Sequence, residues 1–106
     1  MKESQFQSNL IKKIKQIFPD SIVMKTDPNY KQGIPDLLIL NGNRWASLEV
    51  KRSANAKKQP NQSEYVEKMN KMSYSSFIYP ENEQEVLDEL QRSLQTRRTS
   101  RSVRGK

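Results

Sequence analysis

The sequence predicts an α/β fold, a small mixed sheet flanked by helices in the order αβββαβα, and three features carry that prediction. Phe6, Leu10, Ile14 and Ile17 recur at helical spacing near the start of the chain. Leu37 to Leu40 is an unbroken apolar run, followed by the turn signal Asn41-Gly42 and a second strand-like run. Val86, Leu87, Leu90 and Leu94 form a second helical stripe near the end.

Taken in order, the first helix carries Lys12, Lys13 and Lys15 largely away from its apolar stripe and stops at Pro19-Asp20. Ser21 to Thr26 (SIVMKT) is a short strand, and Asp27 to Gln32 (DPNYKQ) a polar loop. A strand over Leu37–Leu40 turns at Asn41-Gly42 into a return strand over Arg44–Lys51. Arg52 to Pro60 is a basic loop. Asn61 is the expected N-cap of a second helix, with Glu64 completing a capping box and Tyr65, Met69 and Met72 on one side. Ser75 to Tyr79 is a fourth strand stopped by Pro80. The last helix follows Glu81, with Glu83 and Glu85 near its positive end and Arg92 near its negative end.

A chain of 106 residues is one domain, and a hydrophobic fraction of 33% gives a core small enough that a partner subunit would help it. Cysteine and histidine are both absent. That excludes disulfides, thiolate or imidazole zinc sites, and Ser-His or Cys-His catalysis, so any chemistry rests on carboxylates, lysines and hydroxyls. The opening MKESQFQSNLIKKIK is too polar for a signal peptide, and no apolar run reaches membrane-spanning length. A cytoplasmic protein with no membrane partner is the expectation.

The net charge of +7 is unevenly spread. From Thr96 the chain reads TRRTSRSVRGK, with five basic residues and no acid, leaving 14 basic against 12 acidic residues in the body. The expected division is therefore a domain over 1–95 and a basic, disordered tail over 96–106. Such a tail is either a solvated extension or an arm that attracts phosphate.

The hairpin carries the chemistry. A turn at Asn41-Gly42 places Asp36 opposite Ser47 with Glu49 diagonal to it, while a turn at Gly42-Asn43 places Asp36 directly opposite Glu49. Lys51 shares their face in both, because strand side chains alternate. A symmetric three-residue loop would break the arrangement. Two carboxylates held roughly 5–8 Å apart repel, and a cation between them relieves the repulsion. Magnesium takes oxygen ligands and keeps several waters, so one such water can be activated against a phosphodiester. Lys51 would orient that water or stabilise charge on the phosphate. The alternative is that Asp36 caps a strand and Glu49 with Lys51 forms a surface pair. Leu48, Val50 and the LLIL run argue against it by setting the charges beside a buried face.

Gly33-Ile34-Pro35-Asp36, then twelve residues, then Glu49-Val50-Lys51 resembles the PD-(D/E)xK nuclease superfamily. "GIPDLLIL", "LEVKR" and "QPNQ" together resemble the virus-type replication-repair nucleases, the VRR-NUC family, as stand-alone phage-like members carry it. The likeness covers Met1 to about Leu94. It implies a restriction-endonuclease-like αβββαβ core with an added C-terminal helix. It also implies metal ligation by Asp36, Glu49 and the backbone carbonyl of Val50, with Lys51 as the catalytic lysine. Gln62 matches the glutamine that often opens the following helix; its amide would hold a ligand near the helix's positive end, or it is simply a polar helix-start residue. Glu3 is the candidate for an acid on the first helix that completes the metal site, or a helix-start charge favoured by the dipole. Asp27 reads as a turn residue.

The function expected from this resemblance is a magnesium-dependent endodeoxyribonuclease, with manganese substituting and no small-molecule cofactor. Lys25, Lys31, Arg52, Lys57 and Lys58 surround the site in sequence and would contact successive phosphates without reading bases. Trp45 and Tyr30 are candidates for base stacking, although a core role suits Trp45 better; with the first turn it would face Leu38. No base-reading array is apparent, so structure-selective cutting is expected, in branched DNA such as four-way (Holliday) junctions, by a homodimer. The rivals are a non-catalytic nucleic-acid-binding protein using the basic loop and tail, and an accessory protein of a replication or packaging machine docking through the last helix.

Overall fold

The computed structural model describes residues 1–103, with side chains described as far as Gln95. The first helix, α1, spans Glu3–Ile17 and buries Phe6, Leu10 and Ile14, four residues apart along one stripe. Phe18 leaves helical geometry because Pro19 follows it, yet its N–H still reaches the Ile14 carbonyl at 2.8 Å. Its ring is buried, and the Ser21 hydroxyl donates to its carbonyl at 2.8 Å. Phe18 is thus a core residue, deeper than Ile17 of the expected stripe.

Four strands form one sheet in chain order: β1 (Ile22–Lys25), β2 (Leu37–Asn41), β3 (Arg44–Val50) and β4 (Tyr74–Ile78). The first two pairings are antiparallel; β3 and β4 are parallel and are linked through α2 (Pro60–Met72). A 3-10 turn at Pro80–Asn82 leads into α3 (Glu83–Val103). The α/β fold and element order agree with the expectation. The backbone of α3 continues to Val103, whereas the side chains of the basic segment from Thr96, and residues 104–106 altogether, lie outside the described residues.

One face of the sheet meets the core. Leu37, Ile39, Ala46, Leu48, Val50 and Ile78 pack with α1 and with Val86, Leu87, Leu90 and Leu94 of α3. Each fully buried Leu or Ile contributes roughly 1.5–3 kcal/mol of hydrophobic stabilisation. The opposite face is only partly covered. Helix α2 lies over β3 and β4 there, while Ile22 (56% exposed) and Met24 (41%) stand open on β1. Beneath α2 the Ser47 hydroxyl donates to Ser75 at 2.8 Å, so the polar pair buried between β3 and β4 is satisfied.

Two local expectations are corrected. The hairpin turns at Gly42-Asn43, not Asn41-Gly42: Asn41 pairs with Arg44, and Leu40, not Leu38, faces Trp45. Gly42 adopts φ +66°, which suits the first position of a tight hairpin turn. The register is held from outside the hairpin, because the Asn41 amide donates to the Leu94 carbonyl at 3.2 Å and Arg44 reaches the Ser93 carbonyl at 3.5 Å. Trp45 is half-buried, not a core residue.

The second correction concerns α2. Its N-cap is Gln59, with Pro60 as the first helical residue and Gln62, rather than Glu64, completing the capping box. Proline's fixed φ suits that first position, where no N–H is needed. The face that meets the sheet also differs: Val66 is the buried residue of α2, and Met72, expected on the apolar side, is 66% exposed.

Candidate active site

The Gly42-Asn43 turn fixes where the acids meet. Leu37 pairs with Leu48, so one step further along the antiparallel register Asp36 lies opposite Glu49. The entry to β2 is pinned by Thr26, whose N–H and hydroxyl donate to the carbonyls of Asp36 (2.9 Å) and Pro35 (2.7 Å). Asp36 Oδ2 accepts the Val50 N–H at 2.9 Å. Because a strand residue sends its N–H and C=O to the same edge, Val50 turns its carbonyl toward Asp36 as well.

Glu49 is 3% exposed and Lys51 9%, both unusual for charged residues. Gln62 joins them: its amide nitrogen donates to Glu49 Oε2 at 3.0 Å, and its amide oxygen accepts from Lys51 Nζ at 2.8 Å. The same oxygen accepts the Gln59 N–H at 2.9 Å, so the side chain that caps α2 also spans the site. Lys51 Nζ is 3.9 Å from Glu49 Oε2. Glu49 Oε1 is buried without a hydrogen-bond partner.

That orphaned oxygen is where the electrostatics concentrate. Burial, then repulsion from Asp36, pushes the Glu49 carboxyl up to about 8, against a smaller opposing pull from Lys51. Asp36 is also raised, by burial, although the Val50 N–H, Glu49 and Lys51 all oppose it. The two shifts have one consequence: with the carboxyls side by side and both raised, a proton shared between them is favoured over two bare charges.

Among the described residues no group of three acids converges on one point. Asp36 and Glu49 are brought together; Glu3, expected as a third ligand, is exposed in the first turn of α1 and reaches Glu49 only as a weak repulsion. The pair nonetheless fits a hard divalent cation. It offers two carboxylates, one buried oxygen with no partner, and a backbone carbonyl on the same edge.

The basic residues are split. Lys25, Lys31, Arg52, Lys57 and Lys58 are all exposed. Lys58 is engaged within the chain, its Nζ lying 5.1 Å from the Phe77 ring centre and 5.6 Å from that of Tyr79. Asp27 is a turn residue as expected, accepting the Asn29 N–H at 2.9 Å. Sequence reasoning missed Gln59 as the helix cap and the contact of Asn61 with the loop at Gly33. Gln59-Pro60 is itself a helix-start signal and would have revealed the first; the contact of Asn61 with Gly33 has no local signal.

In comparisons with known proteins, no family model, no curated protein and no solved structure matches the chain. No helix among the described residues is long and apolar enough to cross a membrane.

Proposed function

We propose that the chain is a metal-dependent, structure-selective DNA endonuclease that hydrolyses phosphodiester bonds in branched DNA, with four-way junctions as its first substrate. The observation that carries this reading is the buried, unpartnered Oε1 of Glu49, on a residue that lies opposite Asp36 and has Lys51 beside it. A carboxylate oxygen kept dry and without a partner costs stability, and a divalent cation would remove that cost.

Asp36, Glu49 and the Val50 carbonyl would hold magnesium or manganese. The ion would supply positive charge beside the scissile phosphate and lower the pKa of a water. Lys51 is the residue that meets the phosphate: Gln62 uses one of its N–H directions, leaving others to orient a water or to stabilise developing charge. Gln62 fixes the spacing between ammonium and carboxylate. Lys25, Lys31, Arg52 and Lys57 would contact the backbone on either side, which positions DNA without reading it.

A homodimer in the cytoplasm, with no small-molecule cofactor, belongs to the same proposal. Ile22 and Met24, exposed on an uncharged part of β1, are the side chains a second copy would cover. Sedimentation against concentration tests it.

The central experiment is incubation of labelled four-way junction, flap and linear duplex DNA with magnesium, manganese or EDTA, beside Glu49→Ala. Metal-dependent cutting that the variant loses supports the nuclease. Tight binding without cutting in either metal overturns it.

A further inference from the structure

An open pocket of about 430 Å³ is lined by Gln32, Asn61, Glu64, Tyr65 and Lys68, on the loop that leads to Asp36 and on the first turns of the helix that carries Gln62. We infer that it receives one unpaired base of the DNA strand being cut, stacked on Tyr65. The inference rests on the proposed nuclease reading for the path of the strand.

Position comes first. Asn61 immediately precedes Gln62, and Tyr65 follows it by three residues on α2, about 4.5 Å along the helix axis. A base in the pocket would belong to a nucleotide close to the one whose phosphate meets Lys51, because Gln62, which accepts from Lys51 Nζ, stands between Asn61 and Tyr65 on the same helix. The opposite wall is fixed too. Asn61 donates to the Gln32 carbonyl at 3.4 Å and packs on Gly33, so the loop before β2 is held against the start of α2.

Chemistry then selects a base over a phosphate. The lining holds one cation, one anion, two carboxamides and a phenol ring, so it carries no net charge. Carboxamides and carboxylates match the donor and acceptor edges of bases, and a tyrosine face stacks on any of them. Those edges are free only where a base is unpaired. Apart from Asn61, the lining side chains are also uncommitted. Glu64 and Lys68 stand four apart on α2 without forming an ion pair, and the side chains of Gln32 and Tyr65 have no hydrogen-bond partner among the described residues. Tyr65 is half-buried, so its ring is held in place rather than free in solvent.

The test compares a matched duplex with one carrying a single unpaired nucleotide, by fluorescence anisotropy in EDTA and by cutting in magnesium. The proteins are the wild type, Tyr65→Phe, Tyr65→Ala and Gln32→Ala, the last on an exposed loop where loss of folding is not at issue. Expected is tighter binding of the unpaired substrate, a preference lowered roughly ten- to hundredfold by Tyr65→Ala and kept by Tyr65→Phe. Gln32→Ala lowers it by a smaller factor. Cutting that is indifferent to the unpaired base, or a preference unchanged in Tyr65→Ala, overturns the pocket and leaves the nuclease standing. Tyrosine-dependent binding without cutting in any metal supports the pocket and overturns the nuclease. Failure of both binding preference and cutting removes both.

Discussion

Gln62 accepts from Lys51 Nζ at 2.8 Å with the amide oxygen that also caps the first turn of α2, so the helix start and the candidate catalytic lysine share one acceptor. Its amide nitrogen is meanwhile committed to Glu49. Gln62→Leu removes all three bonds at once. Loss of the cap is expected to lower stability by about 1 kcal/mol, a modest effect readable by chemical denaturation. Cutting is expected to fall further, roughly ten- to a hundredfold, because the ammonium loses the bond that positions it. A variant that loses stability but cuts at the wild-type rate would reduce Gln62 to a helix cap.

Lys51→Met tests the charge itself. Methionine preserves the apolar stem of this nearly buried side chain, so the fold is expected to survive, as circular dichroism can check. Lys51 opposes the upward shift of Glu49, and without it Glu49 holds its proton more tightly. Cutting should fall by about a hundred- to a thousandfold, the range for losing a preorganised charge at a reacting group. Lys51→Arg, which keeps the charge but not the shape, should recover little of the rate.

The raised carboxyl predicts a pH dependence with a definite sign. Glu49 titrates near 8 in the folded chain, against an ordinary value of 4.5. Between those values the unfolded chain has lost a proton that the folded chain keeps, so metal-free stability falls as pH rises through that window and levels above it. Below about 4.5 the group contributes nothing to the slope. A divalent cation competes with the proton, so its stabilisation should be larger at pH 8 than at pH 5.5. Thermal melts in EDTA and in magnesium at both pH values read this directly. Glu49→Gln, uncharged throughout, should flatten the slope and lose the metal shift; an unchanged slope would mean that Glu49 does not set it.

The parts of this site legible in the sequence are those set by short-range rules. Alternation along β3 puts Glu49 and Lys51 on one face whatever the partner strand does. Either two-residue turn keeps Asp36 on that face, so the acid pair follows from both, and the structure shows the Gly42-Asn43 one. The turn itself was not legible, because Asn41 and Arg44 are held by carbonyls of α3, some fifty residues away in sequence. Helix α2 was misplaced for a different reason. Asn61 looks like a cap by composition, but Pro60 fits inside the first turn and hands the cap to Gln59. Glu3 could not be placed from sequence at all, since its distance from Glu49 depends on how α1 packs against the sheet.

Gly33 supplies the most local test of that packing. It sits at φ +90°, where a side chain is strained, and an added Cβ would stand 2.6 Å from Asn61 Cγ. Both effects act on the loop that delivers Asp36 to the sheet. Gly33→Ala is therefore expected to lower stability by about 1–3 kcal/mol. Adding Asn61→Gly takes away the clashing atoms but not the backbone strain, so the double variant should recover only part of the loss relative to Asn61→Gly alone. Denaturation of the wild type, both single variants and the double variant measures the coupling. Additive losses would mean that the loop and α2 do not press on each other at Gly33. A coupling accompanied by loss of cutting in Gly33→Ala would tie this contact to the placement of Asp36.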